Sequence, residues 1–172
     1  MRNLLLLTLI ALCLAECTAP QPVDGLTRDR LTNHYWGLRR FLGNKVAHAE
    51  PEAASLRFRP NGQIDGTASC NSIGGSRLNW SATTVGNAGS FSHNNAQPMI
   101  QTAVGCGDRR SVVVANDFWQ RMDAAEAWSL QDGRLQITFS DGGTAELVSI
   151  TNPLLGRGSE SGRKTSNNFD HK

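Results

Sequence analysis

The stretch Gly66-Thr67-Ala68-Ser69-Cys70-Asn71-Ser72-Ile73-Gly74-Gly75 restricts the fold more than any other part of the chain, because it joins glycines, a thiol and a side-chain amide. Glycine permits backbone conformations and close approaches that a Cβ forbids. Asn71 can fold its amide onto nearby main chain or adopt a left-handed turn. A second segment answers the first: Thr102-Ala103-Val104-Gly105-Cys106 carries the only other cysteine outside the N-terminal leader. Cys70 and Cys106 are therefore natural partners for a disulfide, with two reduced thiols as the alternative. The whole reads as a structural knot.

Whether a disulfide persists depends on the compartment. Arg2 precedes an apolar run from Leu4 to Leu14 that only Thr8 interrupts. As a helix this run would rise roughly 16 Å, about half of the ~30 Å hydrocarbon layer, so it reads as a signal peptide over residues 1–16 and not as an anchor. Two ways of processing it compete. Cys13 and Ala15 offer a small-x-small site for cleavage after Ala15, whereas Leu14-Ala15-Glu16-Cys17 resembles a lipoprotein box in which Cys17 would carry lipid. Pairing Cys70 with Cys106 leaves Cys17 unpaired after the leader is removed, which agrees with its modification. The chain is expected to be exported to the periplasm, touching membrane only through a lipid on Cys17.

The chain beyond the leader has the length of one core. Residues 17–33, with Pro20 and Pro22, read as a linker, residues 34–151 as one domain, and residues 152–172, poor in apolar side chains, as a disordered tail. Within the domain, Trp36 and Leu38 alternate along a first strand. Leu56 and Phe58 face away from Arg57 and Arg59 in the next, Pro60-Asn61-Gly62 turns the chain, and Gln63 to Ser69 returns. Arg77 to Trp80 and, more weakly, Thr83 to Phe91 read as further strands, followed by a polar loop from Ser92 to Gln101. From Ser111 to Ala125, Val114, Phe118 and Met122 recur at four-residue steps beside Trp119 and mark a helix, with Arg121 on its wet face. Three alternating runs then hold Trp128 and Leu130, Leu135, Ile137 and Phe139, and Ala145 and Leu147. Asp132-Gly133 and Asp141-Gly142-Gly143 separate them as hairpin turns.

In this order the residues resemble the META domain family, the HslJ-like proteins of the bacterial cell envelope, from about Trp36 to Val148. The motif positions are Trp36 in the opening Trp36-Gly37-Leu38, then Gly66, Cys70, Asn71 and Gly75, then Thr102 and Cys106. Asp117-Phe118 and the paired C-terminal strands come after them. Ser69 stands where the family usually has glycine and Ile73 where it has an aromatic residue. The resemblance implies a single α+β domain, a curved antiparallel, half-barrel-like sheet holding one packed helix. It also implies a stress-associated envelope role without catalysis.

The residues themselves exclude several classes. A formal net charge of +2 and separated arginine pairs do not suit nucleic acid. His34, His48, His93 and the cysteines lack close ligand spacing, so no metal or other cofactor is expected. No nucleophile elbow, phosphate loop or dinucleotide motif occurs. Trp36, Trp119 and Trp128 fall on apolar faces and belong to the core, while Trp80 ends its strand among polar residues. The expected function is non-enzymatic binding of an unidentified envelope partner by a monomer. Its rivals are a proteinaceous inhibitor of a secreted lysozyme or protease, and a hydrolase using Cys70 as nucleophile with His93 as base.

Overall fold

Strand and helix order follows the apolar pattern of the sequence in a computed structural model that describes residues 25–47, 52–83, 86–106 and 108–152. Helix α1 (Gly25–Thr32) precedes strands β1 (Tyr35–Phe41), β2 (Asn44–Lys45), β3 (Ala54–Phe58), β4 (Ile64–Ala68), β5 (Asn71–Gly74), β6 (Leu78–Ala82), β7 (Ala88–His93) and β8 (Ile100–Gln101). Helix α2 (Arg109–Arg121) runs into a 3-10 turn (Met122–Ala124), and β9 (Ala125–Gln131), β10 (Arg134–Phe139) and β11 (Thr144–Ile150) complete the fold.

The strands form one antiparallel sheet in the order β6-β7-β9-β10-β11-β1-β3-β4-β5-β8, with β2 paired to β1. It curls into a half-barrel, and its course is nearly closed where Gln63, just before β4, bridges Asn79 of β6. Register explains why the curl has an apolar inside: Leu135 lies opposite Leu147, Ile137 opposite both Ala145 and Trp128, and Leu38 opposite Leu147. With a side-chain period of two, these pairs put all their neighbours on one face. Helix α2 plugs the half-barrel with Ala115, Phe118 and Trp119, which are buried, and Met122 continues the stripe. Phe118 packs edge-on against Phe41 and Trp119. This is the expected α+β fold with a curved antiparallel sheet and one main packed helix.

Several elements differ from the reading of the sequence. Residues 25–33, taken as the end of a linker, begin the folded unit instead: Leu31 of α1 is 0% exposed, and its carbonyl oxygen accepts a hydrogen bond from Trp36 Nε1 at 3.1 Å. Pro20 and Pro22 are breakers only for the segment they occupy, and a helix can start three residues later. The knot contains strand β5, because Ser69-Cys70 makes a tight turn that lets Ala68 pair with Asn71. The strand expected over Thr83 to Phe91 occupies only Ala88–His93, and the polar loop contributes the short edge strand β8. Helix α2 starts before Ser111 because Asp108 caps it, accepting from Arg110 N at 3.0 Å and Ser111 Oγ at 2.6 Å.

Arg121 is not a free solvent-facing residue either. It pairs with Asp141 in the β10–β11 turn, and its guanidinium lies 5.4 Å from the Phe139 ring centroid. Among the described residues no helix is long and apolar enough to cross a membrane. The leader, Cys17, His48 and the tail from 153 onward lie outside the described residues.

Candidate functional site

Two neighbouring features lie in the β4–β5 region, one of them built from the motif residues that the sequence singled out. The first is the knot. Cys70 and Cys106 are joined by a disulfide with Cα atoms 5.6 Å apart. Beside it, the Asn71 amide grips the backbone of the second segment on both sides. Its Oδ1 accepts from Val104 N at 2.6 Å and from Thr102 Oγ1 at 3.3 Å, while Nδ2 donates to Val104 O at 3.3 Å. Thr102 adds a further pair: its Oγ1 accepts from Ser72 N at 3.0 Å, and its N donates to Ser72 O at 3.1 Å. A segment with exposed flanks and little regular structure is thereby tied to the sheet by polar contacts and one covalent bond.

The motif glycines serve the same purpose. A Cβ on Gly66 would overlap the Ser55 carbonyl oxygen and come within 2.8 Å of Trp119 Cζ2. Trp119 can therefore lie across β4 and donate from Nε1 to Thr67 O at 2.8 Å. Gly75 has φ of +128°, and a Cβ there would sit 2.8 Å from Pro98 O, closing the gap through which β5 passes the loop before β8.

The two departures from the usual motif fall into place. Ser69 adopts φ of +53°, a left-handed conformation that explains the customary glycine. Ile73 is 5% exposed within the core cluster, so an apolar residue of any shape that packs there meets the same demand.

The second feature is an open cleft of about 490 Å³ lined by Arg59, Pro60, Asn61, Gln63, Ile64, Asp65, Gly74 and Gly75. Arg57 and Asp65 are directly opposed in the β3–β4 ladder and form a two-pronged ion pair at 2.8 and 2.9 Å. Arg59 also pairs with Asp65 through Nε. Hydrogen bonding to the Asp65 carboxylate raises the Arg57 guanidinium above its already high ordinary value. Trp80, the tryptophan that stood apart in the sequence, is not a bare platform: it packs edge-on against Phe58 and Trp128, and its Nε1 donates to Arg59 O at 2.9 Å. The sequence had placed Arg57 and Arg59 on a wet face. The Pro60-Asn61-Gly62 turn sets Asp65 across from Arg57, a pairing that the alternation of the returning strand does not by itself reveal.

The remaining candidates for chemistry are separately occupied. Cys70 is consumed by the disulfide, and His93 Nε2 lies 3.1 Å from Met122 O at the end of α2. His34 Nδ1 lies 2.9 Å from Ser149 Oγ on the exposed side of β1 and β11. Among the described residues no group of three histidine, cysteine or acidic side chains is placed to hold a metal ion.

Comparison with known proteins gives a family. No curated protein matches the sequence. One solved NMR structure shares 16% identity with a TM-score of 0.49, the match covering 70% of this chain and 92% of that one. Another, the NMR structure of a protein from Burkholderia xenovorans, shares 19% identity with a TM-score of 0.45, covering 80% and 95%. The META domain model matches residues 29–151, which takes in Leu31, both cysteines of the disulfide and all the motif residues named above. The chain belongs to the META domain family.

Proposed function

We propose that this META-domain chain acts in the cell envelope by binding a partner, in support of envelope integrity under stress, and that it carries out no catalysis of its own. The observation behind this reading is the fate of the motif. Cys70 and Cys106 are spent on a disulfide, Asn71 and Thr102 on holding the 102–104 backbone, and Gly66 and Gly75 on close approaches. A nucleophile needs a free thiol or hydroxyl within reach of a base, and the motif supplies architecture instead. The disulfide also suits an exported protein, because such bonds persist in oxidising compartments. Lipid on Cys17 would hold the domain at the membrane.

The reading is tested by offering the purified protein ester, amide and thioester substrates in parallel with Cys70→Ser. Turnover that disappears in the variant overturns it. Cross-linked capture from an envelope extract addresses the partner, and stoichiometric recovery of one secreted hydrolase with loss of its activity would replace the stress role by inhibition. Intact mass of protein isolated from the envelope distinguishes cleavage after Ala15 from lipid on Cys17.

A further inference from the structure

We propose that the cleft at the β3–β4 turn is a binding site for a small oxyanion-bearing ligand, with a carboxylate or phosphate group held by Arg59 and Gln63. The inference names a ligand class for the binding role proposed above and rests on that role. Its physical basis is charge, free donors, rigidity and space.

Charge comes first. The cleft wall carries Arg59 and Asp65, with Arg57 behind them. Asp65 is already satisfied by both prongs of Arg57 as well as by Arg59 Nε. The three charges leave the cleft cationic, and no other acidic side chain lines it. Arg59 is the more exposed arginine of the pair, with 44% of its side chain accessible. Among the described residues its two Nη groups have no partner, so the outer edge of the guanidinium is free to make the paired hydrogen bonds that suit planar carboxylates and phosphates. Gln63 contributes an amide whose oxygen is engaged by Asn61 Nδ2 at 2.9 Å, which leaves its NH2 to donate.

Rigidity comes from the frame of the turn. Arg59 N donates to Gln63 O at 2.8 Å, and Gly62 N donates to Arg59 O at 3.0 Å. The β6 strand holds the same turn from outside: Trp80 N donates to Gly62 O at 2.7 Å, and Trp80 Nε1 to Arg59 O at 2.9 Å. A ligand therefore meets a backbone that is ordered beforehand, which lowers the entropic cost of binding. The opposite wall is bare because it is Gly74 and Gly75. A Cβ on Gly74 would rest 3.6 Å from Asp65 Cβ, an ordinary contact, so a side chain there would fit the backbone and project over the acid into the cleft. At about 490 Å³ the space lies within the range of small-molecule sites.

The experiment is a heteronuclear NMR titration of the oxidised, folded protein with inorganic phosphate and, separately, with acetate, against sodium chloride at matched ionic strength. Saturable amide shifts confined to Arg59, Gln63, Gly74 and Gly75 are expected with at least one of the two anions and not with chloride. The anion that binds more tightly identifies the source of the oxyanion. Arg59→Gln should weaken binding about tenfold, the consequence of losing a charge-assisted pair. Gly74→Val, which keeps every charge, should block the cleft with the melting temperature unchanged. Shifts that do not saturate, that chloride reproduces, or that survive both substitutions would overturn the proposal. If anions fail to bind while an envelope partner is captured stoichiometrically, the cleft assignment falls and the binding role stands. Turnover dependent on Cys70 would instead remove the binding role.

Discussion

Opening the Cys70–Cys106 disulfide tests the knot most directly. The bond closes a loop with a sequence separation of 36 residues, which includes β5 through β8. Chain-entropy reasoning assigns roughly 4 kcal/mol to a loop of that length, acting mainly by restricting the unfolded chain. Little of the effect should come from the folded state, because the 102–104 segment keeps its hydrogen bonds to Asn71 and Ser72 when the sulfurs part. Thermal unfolding followed by circular dichroism should show a fall of about 10–20 °C in melting temperature on adding reductant, for a domain of this size. Cys70→Ala and Cys106→Ala should each reproduce the fall, and the double variant should add almost nothing, since either change removes the same bond. Asn71→Ala should then cost more in the reduced protein than in the oxidised one, because it removes the tie that remains. A melting temperature that reductant leaves unchanged, or single substitutions whose effects sum, would refute the account.

Four further outcomes rest on packing and caps. Phe118→Ala should cost about 3–5 kcal/mol in chemical denaturation, as removal of a fully buried ring does. Arg121→Ala should lower the melting temperature by less but measurably, because it loses Asp141 and the face of Phe139. Leu31→Ala should cost about 2–5 kcal/mol although it lies before the first strand, and a neutral result would return α1 to the status of a linker. Hydrogen bonds from Ser111 Oγ and Arg110 N hold the Asp108 carboxyl below its ordinary value. A lowered folded-state pKa gives stability that is present above the unfolded value, about 3.9, and is lost as pH falls through the folded one. Asp108→Asn keeps an acceptor at the cap and should flatten the acid side of the melting-temperature profile.

Alternation made the sheet legible. Leu135, Ile137 and Phe139 face inward and Asp132-Gly133 turns the chain with both residues at positive φ, as the hairpin signal requires. Helix α2 was legible from Phe118, Trp119 and Met122, yet its start lies earlier than the apolar stripe suggests, because the Asp108 cap precedes the β-branched run Val112-Val113-Val114, which by itself disfavours helix. Other elements were hidden for physical reasons. Strand β8 is two residues long and exposed, and so has no apolar period to show. Helix α1 was masked by prolines upstream, and its two leucines, Leu26 and Leu31, stand five residues apart and so show no helical repeat. The cysteine pairing could be read from the chain, but the grip of Asn71 on Val104 could not, since a side chain bonding to main chain leaves no pattern in the partner's sequence.

The same division separates scaffold from site. Trp36, Gly66, Asn71, Thr102 and the cysteines identify the family because each meets a demand that few residue types satisfy: an indole that reaches Leu31 O, a missing Cβ under Trp119, an amide that both donates and accepts. Those demands arise inside the fold and are indifferent to what the protein binds. The cleft shares only Gly75 with the motif, and there glycine supplies an open wall, not a ligand contact. Its charge comes from Arg59 and Asp65, and its free amide from Gln63, all at or beside a turn whose backbone is held by Trp80. A turn fixed in place by main-chain bonds can change its side chains without disturbing the half-barrel behind it. On the proposed binding role, ligand preference would therefore be set by residues 59–65 and not by the motif by which the family is recognised.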